Sequence, residues 1–204
     1  MITDPDRQKR LLEMAEHDLA VREELLRTGE LFDGYHPRME AVHVANAHAL
    51  EALLEDAWPS VEQVGEDGQR AAWLIVQHAI SVPLFQRRCL ALLQSAVERH
   101  AAPAMQLAML TDRICTLEGR PQRYGTQFDW DANGELSPLP LEDAARVDEW
   151  RAQVGLEPLA ETSARHRREA LKHNEHVPAD HAQRRAEQEA WARRVGWRAQ
   201  PPGD

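Results

Sequence analysis

The chain has 204 residues, 43% of them hydrophobic and 28% charged, with a formal net charge of −10. That length and apolar content support a folded core and argue against disorder of the main body, while the acidity argues against a nucleic-acid partner. No run approaches the roughly 18 consecutive apolar residues of a membrane helix, and the opening MITDPDRQKR lacks the apolar stretch of a secretory signal, so a cytoplasmic protein with no membrane partner is expected.

Ala, Leu, Glu, Arg and Gln dominate and β-branched residues are few, which leans the chain to helix. Thr3-Asp4-Pro5 reads as a helix start, with Leu11, Leu12, Ala15, Leu19, Leu25 and Leu26 as its apolar face and Gly29 as its stop. Asp33-Gly34 is turn chemistry. A second helix is expected from Arg38 to Ala57, with His43 and Asn46 beside its apolar stripe and His36 just ahead of it. Trp58-Pro59-Ser60 ends that helix, and Val61 to Gly65 reads as an irregular bridge.

The third helix, around Ala71-Ala72-Trp73-Leu74-Ile75-Val76-Gln77-His78-Ala79-Ile80, is apolar on almost every side and belongs in the middle of a bundle. Gln77 and His78 interrupt it and must find partners. Pro83 introduces a fourth helix through Phe85, Cys89 and Leu93, and Pro103 a fifth through Ala108, Leu110 and Ile114 to a stop at Gly119. Residues 122–139 read as a small β-hairpin, with Asp131-Ala132-Asn133-Gly134 as its turn. A sixth helix is expected from Leu141 through Trp150 to Val154. From Ser163 the chain turns mildly basic and thinly apolar, with a break at Val177-Pro178 and a loose end at Gln200–Asp204.

The predicted fold is therefore mainly α: a single bundle of about six helices over residues 1–162 with a hairpin insert, plus a basic, partly helical extension over 163–204. The extension is expected to be dispensable for folding. Cys89 and Cys115 sit in apolar patterns and read as buried, reduced thiols.

Candidate chemistry collects at polar interruptions of apolar helices. Asp112 and Arg113 lie in the apolar fifth helix, and because neighbouring helical residues point about 100° apart each needs its own partner. The segment Gln122-Arg123-Tyr124-Gly125-Thr126-Gln127 offers amides and a phenol suited to holding a carbonyl or carboxylate. His78 is the candidate general acid or base, since histidine titrates near working pH. Asp112 would orient it, Arg113 would grip an anion, and Tyr124, Gln77, Gln122, Gln127, His43, Asn46 and His36 would complete the pocket. No cofactor is predicted. A single divalent metal held by His43, His78 and Asp112 across three helices remains an option. His166, His173, His176 and His181 read as solvated surface. The nucleotide-binding glycine patterns and the serine-hydrolase elbow are absent from the sequence.

The segments WPS…VG, AAWLIVQHAI, FQRRCL, DRICTLEGRPQRYGTQFDWD and VDEWRAQVGLEPLAE together resemble a widespread bacterial family of unknown function. Its hallmark is an Asp-Arg pair followed, after a glycine, by Gln-x-Tyr-Gly-Thr-Gln, and the resemblance spans roughly residues 8 to 165. It implies a mainly helical fold and a shared demand at Gln77, His78, Asp112, Arg113, Gln122, Tyr124, Gly125, Thr126 and Gln127, and it names no reaction. Trp150, before Arg151, departs from the expected pattern. Two readings stand. One is an enzyme acting on a small-molecule or peptidyl substrate by hydrolysis, cyclisation or another proton transfer, in a pocket walled by the third helix, the fifth helix and the segment after Gly119. The other is a non-catalytic binding protein whose polar core is architectural; a bound metal would turn the first into a metal-assisted hydrolase. Nothing in the sequence fixes the oligomeric state.

Overall fold

Helix α1 (Pro5–Thr28) starts where its capping chemistry predicts: the Asp4 carboxylate accepts the Arg7 N–H at 3.0 Å, and Pro5 occupies the first turn. Gly29, at φ 78°, ends it in the left-handed conformation. Its buried face is Leu11, Ala15, Asp18 and Leu25, whereas Leu19 and Leu26, expected inward, are exposed. The spacing of the buried set, four, three and seven residues, explains the correction: it follows the helical repeat with an aspartate in line.

The computed structural model describes residues 1–30, 35–131, 133–173, 177 and 180–200. The Asp33-Gly34 turn, Ala132, His176, Pro178 and the last four residues lie outside the described residues. Packing divides the chain into two compact units, Met1–Pro103 and Ala104–Asp204.

In the first unit, α2 (Pro37–Leu54), α3 (Val61–His78) and α4 (Pro83–Glu98) follow α1, which packs against α2 and α3; α3 also meets α2 and α4. Helix α3 begins at Val61, earlier than the expected irregular bridge allowed. A reciprocal cap explains this: the Ser60 hydroxyl accepts the Gln63 N–H at 3.2 Å, and the Gln63 side chain accepts the Ser60 N–H at 3.0 Å. Gly65 then leaves the helical conformation, at φ 71°, inside the same helix. Two buried glutamines serve as braces. Gln69 donates to the carbonyls of Pro59 and Ala101, both at 2.9 Å, and Gln86 donates to those of Val76 and Gln77.

The second unit holds α5 (Ala104–Leu117), the strands β1 (Phe128–Trp130) and β2 (Leu136–Pro138), and α6 (Val147–Gln153), α7 (Leu159–Lys172) and α8 (His181–Val195). The strands pair antiparallel, with Asp129 opposite Ser137. The Asp131 carboxylate closes the turn by accepting the N–H groups of Asn133 and Glu135 and the Ser137 hydroxyl. The sixth helix starts later than Leu141 because that residue bridges in parallel to Gln122, and the Glu142 N–H donates to the Gln122 carbonyl at 2.7 Å. Helix α7 runs across residue 162 and buries Thr162 and Ala170, while Arg167 donates to the Leu136 carbonyl and the Ser137 hydroxyl. The mainly helical class with a small hairpin is what the structure shows, with eight helices among the described residues where about six were expected.

No helix among the described residues is long and apolar enough to cross a membrane. Cys89 and Cys115 are free and buried. Burial pushes the Cys89 thiol up to about 12 and raises that of Cys115. Since the thiolate is the reacting species, both should resist alkylation by iodoacetamide at pH 8 in the native protein and react promptly in denaturant. Mass spectrometry of the alkylated chain reads the outcome, and rapid native labelling of Cys89 would contradict its placement.

Candidate functional site

Asp18 interrupts the apolar face of α1 and is completely buried. Its carboxylate lies between two imidazoles, one from α2 and one from the last residue of α3. Nδ1 of His78 is 3.0 Å from both Asp18 oxygens, and Nε2 of His43 is 3.3 Å from Oδ2. An ionised carboxylate has only acceptors, so the His78 contact requires a proton on Nδ1 and makes Nε2 the basic atom of the neutral ring. That Nε2 has no hydrogen-bond partner among the described residues, and the His78 side chain is 24% exposed. The two rings stand 4.9 Å apart between centroids.

Tyr35 completes the group. Its hydroxyl meets Nδ1 of His43 at 2.7 Å, and its ring stacks on that imidazole at 5.7 Å. Burial, aided by the charges of Glu40 and Asp18 and opposed by a bond with Ser81, raises the phenol above its usual range, so Tyr35 stays neutral. Burial would raise the Asp18 carboxyl as well. The two neighbouring imidazoles outweigh it and hold the carboxyl well below the ordinary carboxylate range. A carboxylate kept ionised in the core, one imidazole sealed and one reaching solvent, is an arrangement that can orient and charge-balance a proton-transferring histidine.

Two of the other candidates in this unit have structural partners. Asn46 donates to the Met14 carbonyl at 3.2 Å and so ties α2 to α1. His36 caps α2, its Nδ1 accepting the Arg38 N–H at 3.2 Å. Gln77 is buried beside His78, and its Nε2 has no hydrogen-bond partner among the described residues.

In the second unit the Asp-Arg and Gln-x-Tyr-Gly-Thr-Gln motifs form one clamp. Asp112, fully buried in α5, accepts the N–H groups of Arg123, Tyr124 and Thr126 and the Thr126 hydroxyl at 2.8–3.1 Å. Burial raises its carboxyl and these bonds pull the other way, with the net shift upward. Arg151 holds the same loop from its carbonyl side. It is 2% exposed and donates to the carbonyls of Tyr124, Gly125 and Glu157 and to the Thr162 hydroxyl. Gln122 is spent in the same way, donating to the Gln127 and Leu139 carbonyls and accepting the Gln127 N–H. Gly125 is required twice over: its φ is +64°, and a Cβ there would lie 2.8 Å from a Leu159 methyl.

Asp112 thus has its oxygens committed to the loop, and the carboxylate that His78 meets is Asp18. Tyr124 is half-buried, and its hydroxyl is free of protein hydrogen bonds among the described residues. The Gln127 side chain donates to the Thr126 hydroxyl at 3.1 Å. Arg113 has a buried Nε without a partner among the described residues, and burial lowers its guanidinium pKa. A cavity of about 470 Å3 opens beside this loop, lined by Met105, Met109, Thr126, Arg151, Arg165 and His166. Sequence reasoning missed Asp18, Tyr35, Arg151 and Thr162. Asp18 had a signal, a charge in register with Leu11, Ala15 and Leu25; Arg151 had none, because its partners are mostly carbonyls.

A family model described as a family of unknown function, DUF6624, matches residues 5–171. The chain belongs to that family. No curated protein and no solved structure matches it.

Proposed function

We propose that this protein is an enzyme that performs acid–base chemistry at the Asp18–His43–His78–Tyr35 cluster. The observation that carries the reading is the buried Asp18 carboxylate bonded to Nδ1 of a partly exposed His78 whose Nε2 has no partner among the described residues. In this reading Nε2 of His78 takes a proton from a substrate or a water, and Asp18 fixes the tautomer and balances the imidazolium that forms. Its place as the last residue of α3 adds the helix dipole, which favours a cation at that end. His43 faces Asp18 from the sealed side at 3.3 Å, and Tyr35 fixes the His43 ring. The substrate class is small and polar or peptidyl, and the reaction a hydrolysis, cyclisation or other proton transfer. The setting is a bacterial cytoplasm, in keeping with the two reduced thiols, and the net charge of −10 supports no nucleic-acid partner.

The test is a mass-spectrometric turnover screen of the full chain against small amides, esters and short peptides, repeated with His78→Gln. A converted substrate is expected, with kcat in His78→Gln lower by about 100-fold or more and the melting transition kept within a few degrees. Unchanged kcat in a folded His78→Gln protein overturns the assignment. Binding without conversion across the panel favours the non-catalytic reading instead.

A further inference from the structure

We infer that Asp18, His43 and His78 form a binding site for a single divalent first-row transition-metal ion, with Tyr35 as the outer partner that orients His43. Each of the three side chains offers one ligand atom, and these atoms lie within 4.8 Å of one another. An ion bonded at about 2.1 Å to each donor places tetrahedral neighbours roughly 3.4 Å apart. The His43 Nε2 to Asp18 Oδ2 separation of 3.3 Å already has that value, and His78 Nδ1 to Asp18 at 3.0 Å is close to it. Two imidazoles and one carboxylate are the donor set of open catalytic zinc and non-haem iron sites, in which water or substrate fills the remaining position.

A second observation points to a ligand independently of the spacing. His43 is 8% exposed, and its buried Nε2 approaches Asp18 Oδ2 at 3.3 Å without meeting hydrogen-bond geometry to any of the described residues. A buried imidazole nitrogen left unsatisfied is costly unless something accepts its lone pair. Its other nitrogen is held by Tyr35 at 2.7 Å, a contact of the kind that fixes ring orientation and tautomer in ligating histidines. If Nδ1–H donates to the phenol, Nε2 is bare and aimed at the gap beside Asp18. The donors come from three different helices, α1, α2 and α3, so the frame is preformed, and the exposed edge of His78 supplies an entry path.

This inference rests on the preceding reading only in placing the chemistry at this cluster. With the ion bound, Asp18 and both imidazoles become its ligands, and the acid–base step passes from His78 to a water in the open position, whose pKa the ion lowers toward neutrality. The reaction is then a metal-assisted hydrolysis.

The experiment uses the full chain freed of metal with a chelator, then titrated with Zn2+ alone by calorimetry and with Co2+ by visible absorption. One equivalent is expected, together with the ligand-field bands of a nitrogen- and oxygen-bound Co2+ in low coordination and no thiolate charge-transfer band. Asp18→Asn and His43→Gln should each weaken Zn2+ binding by 100-fold or more, Tyr35→Phe by about tenfold, and His166→Gln not at all. Where the ligand variants do not fold, imidazole nitrogen resonances of the wild-type chain decide: Zn2+ should shift those of two histidines by one equivalent. No stoichiometric binding, or binding that is unchanged in folded Asp18→Asn and His43→Gln proteins, overturns the site. Turnover that persists in excess chelator overturns the metal inference while leaving the His78 acid–base reading in place, so the two fail separately.

Discussion

Asp112→Ala is expected to lower stability by about 3–5 kcal/mol, among the largest effects of any single substitution in this chain. Its carboxylate is the common acceptor for three backbone N–H groups and one hydroxyl, and an alanine leaves all of them without a partner in the core. Each orphaned buried donor costs roughly 1–3 kcal/mol, and partial relaxation of the loop keeps the total below the simple sum. Asp112→Asn is the sharper comparison. The amide is isosteric, but one of its two ends becomes a donor facing donors, so the Asn variant should lose nearly as much as Ala. A purely catalytic aspartate behaves otherwise, because its Asn variant stays folded and loses rate alone. Urea unfolding followed by circular dichroism measures the difference, and an Asn variant within about 1 kcal/mol of wild type would remove Asp112 from its role as loop anchor.

The same residue shows how far the sequence could be read. The helices announce themselves through caps, glycine stops and apolar periodicity, and their order and class follow directly. Asp112 and the segment after Gly119 were visible as polar groups in need of partners, and they do partner one another. Chemistry alone did not show that the partnership is architectural, since a carboxylate bonded to backbone N–H groups and one bonded to a histidine look identical along the chain. Asp18 is the reverse case. It sits among the many charges of a charged amphipathic helix, and only the register with Leu11, Ala15 and Leu25 marks it as inward. Its meeting with His43 and His78 depends on how α1, α2 and α3 pack, which no local pattern encodes. Arg151 lies further out of reach, because backbone carbonyls carry no residue identity.

The C-terminal extension yields the second large effect. Composition suggested that residues after 162 could be removed at little cost, since their apolar periodicity is thin. The buried residues there are few but well placed. Gly196 takes φ 94° past the last turn of α8, and the Trp197 N–H reaches back to the Ala192 carbonyl at 2.8 Å, with both side chains buried. Arg198 continues the return, donating to the carbonyls of Leu117 and Thr116 at the end of α5. Those carbonyls belong to the last turn of a helix, where Thr116 also accepts the Gly119 N–H, and Arg198 adds a remote C-terminal cap with a charge of the favourable sign. Arg198 thus fastens the end of α8 back to α5, next to an indole at 4% exposure. Trp197→Ala should cost about 3–5 kcal/mol from lost burial and the cavity left behind. For a chain of this size that corresponds to a fall of roughly 10 °C in the melting midpoint. Deleting residues 181–204 should lower it at least as far, since it removes the indole, the cap on α5 and the packing of Ala192 together. Differential scanning calorimetry of the two variants decides the matter. A midpoint within a few degrees of wild type in the deletion would show that the helix end carries its tryptophan without using it.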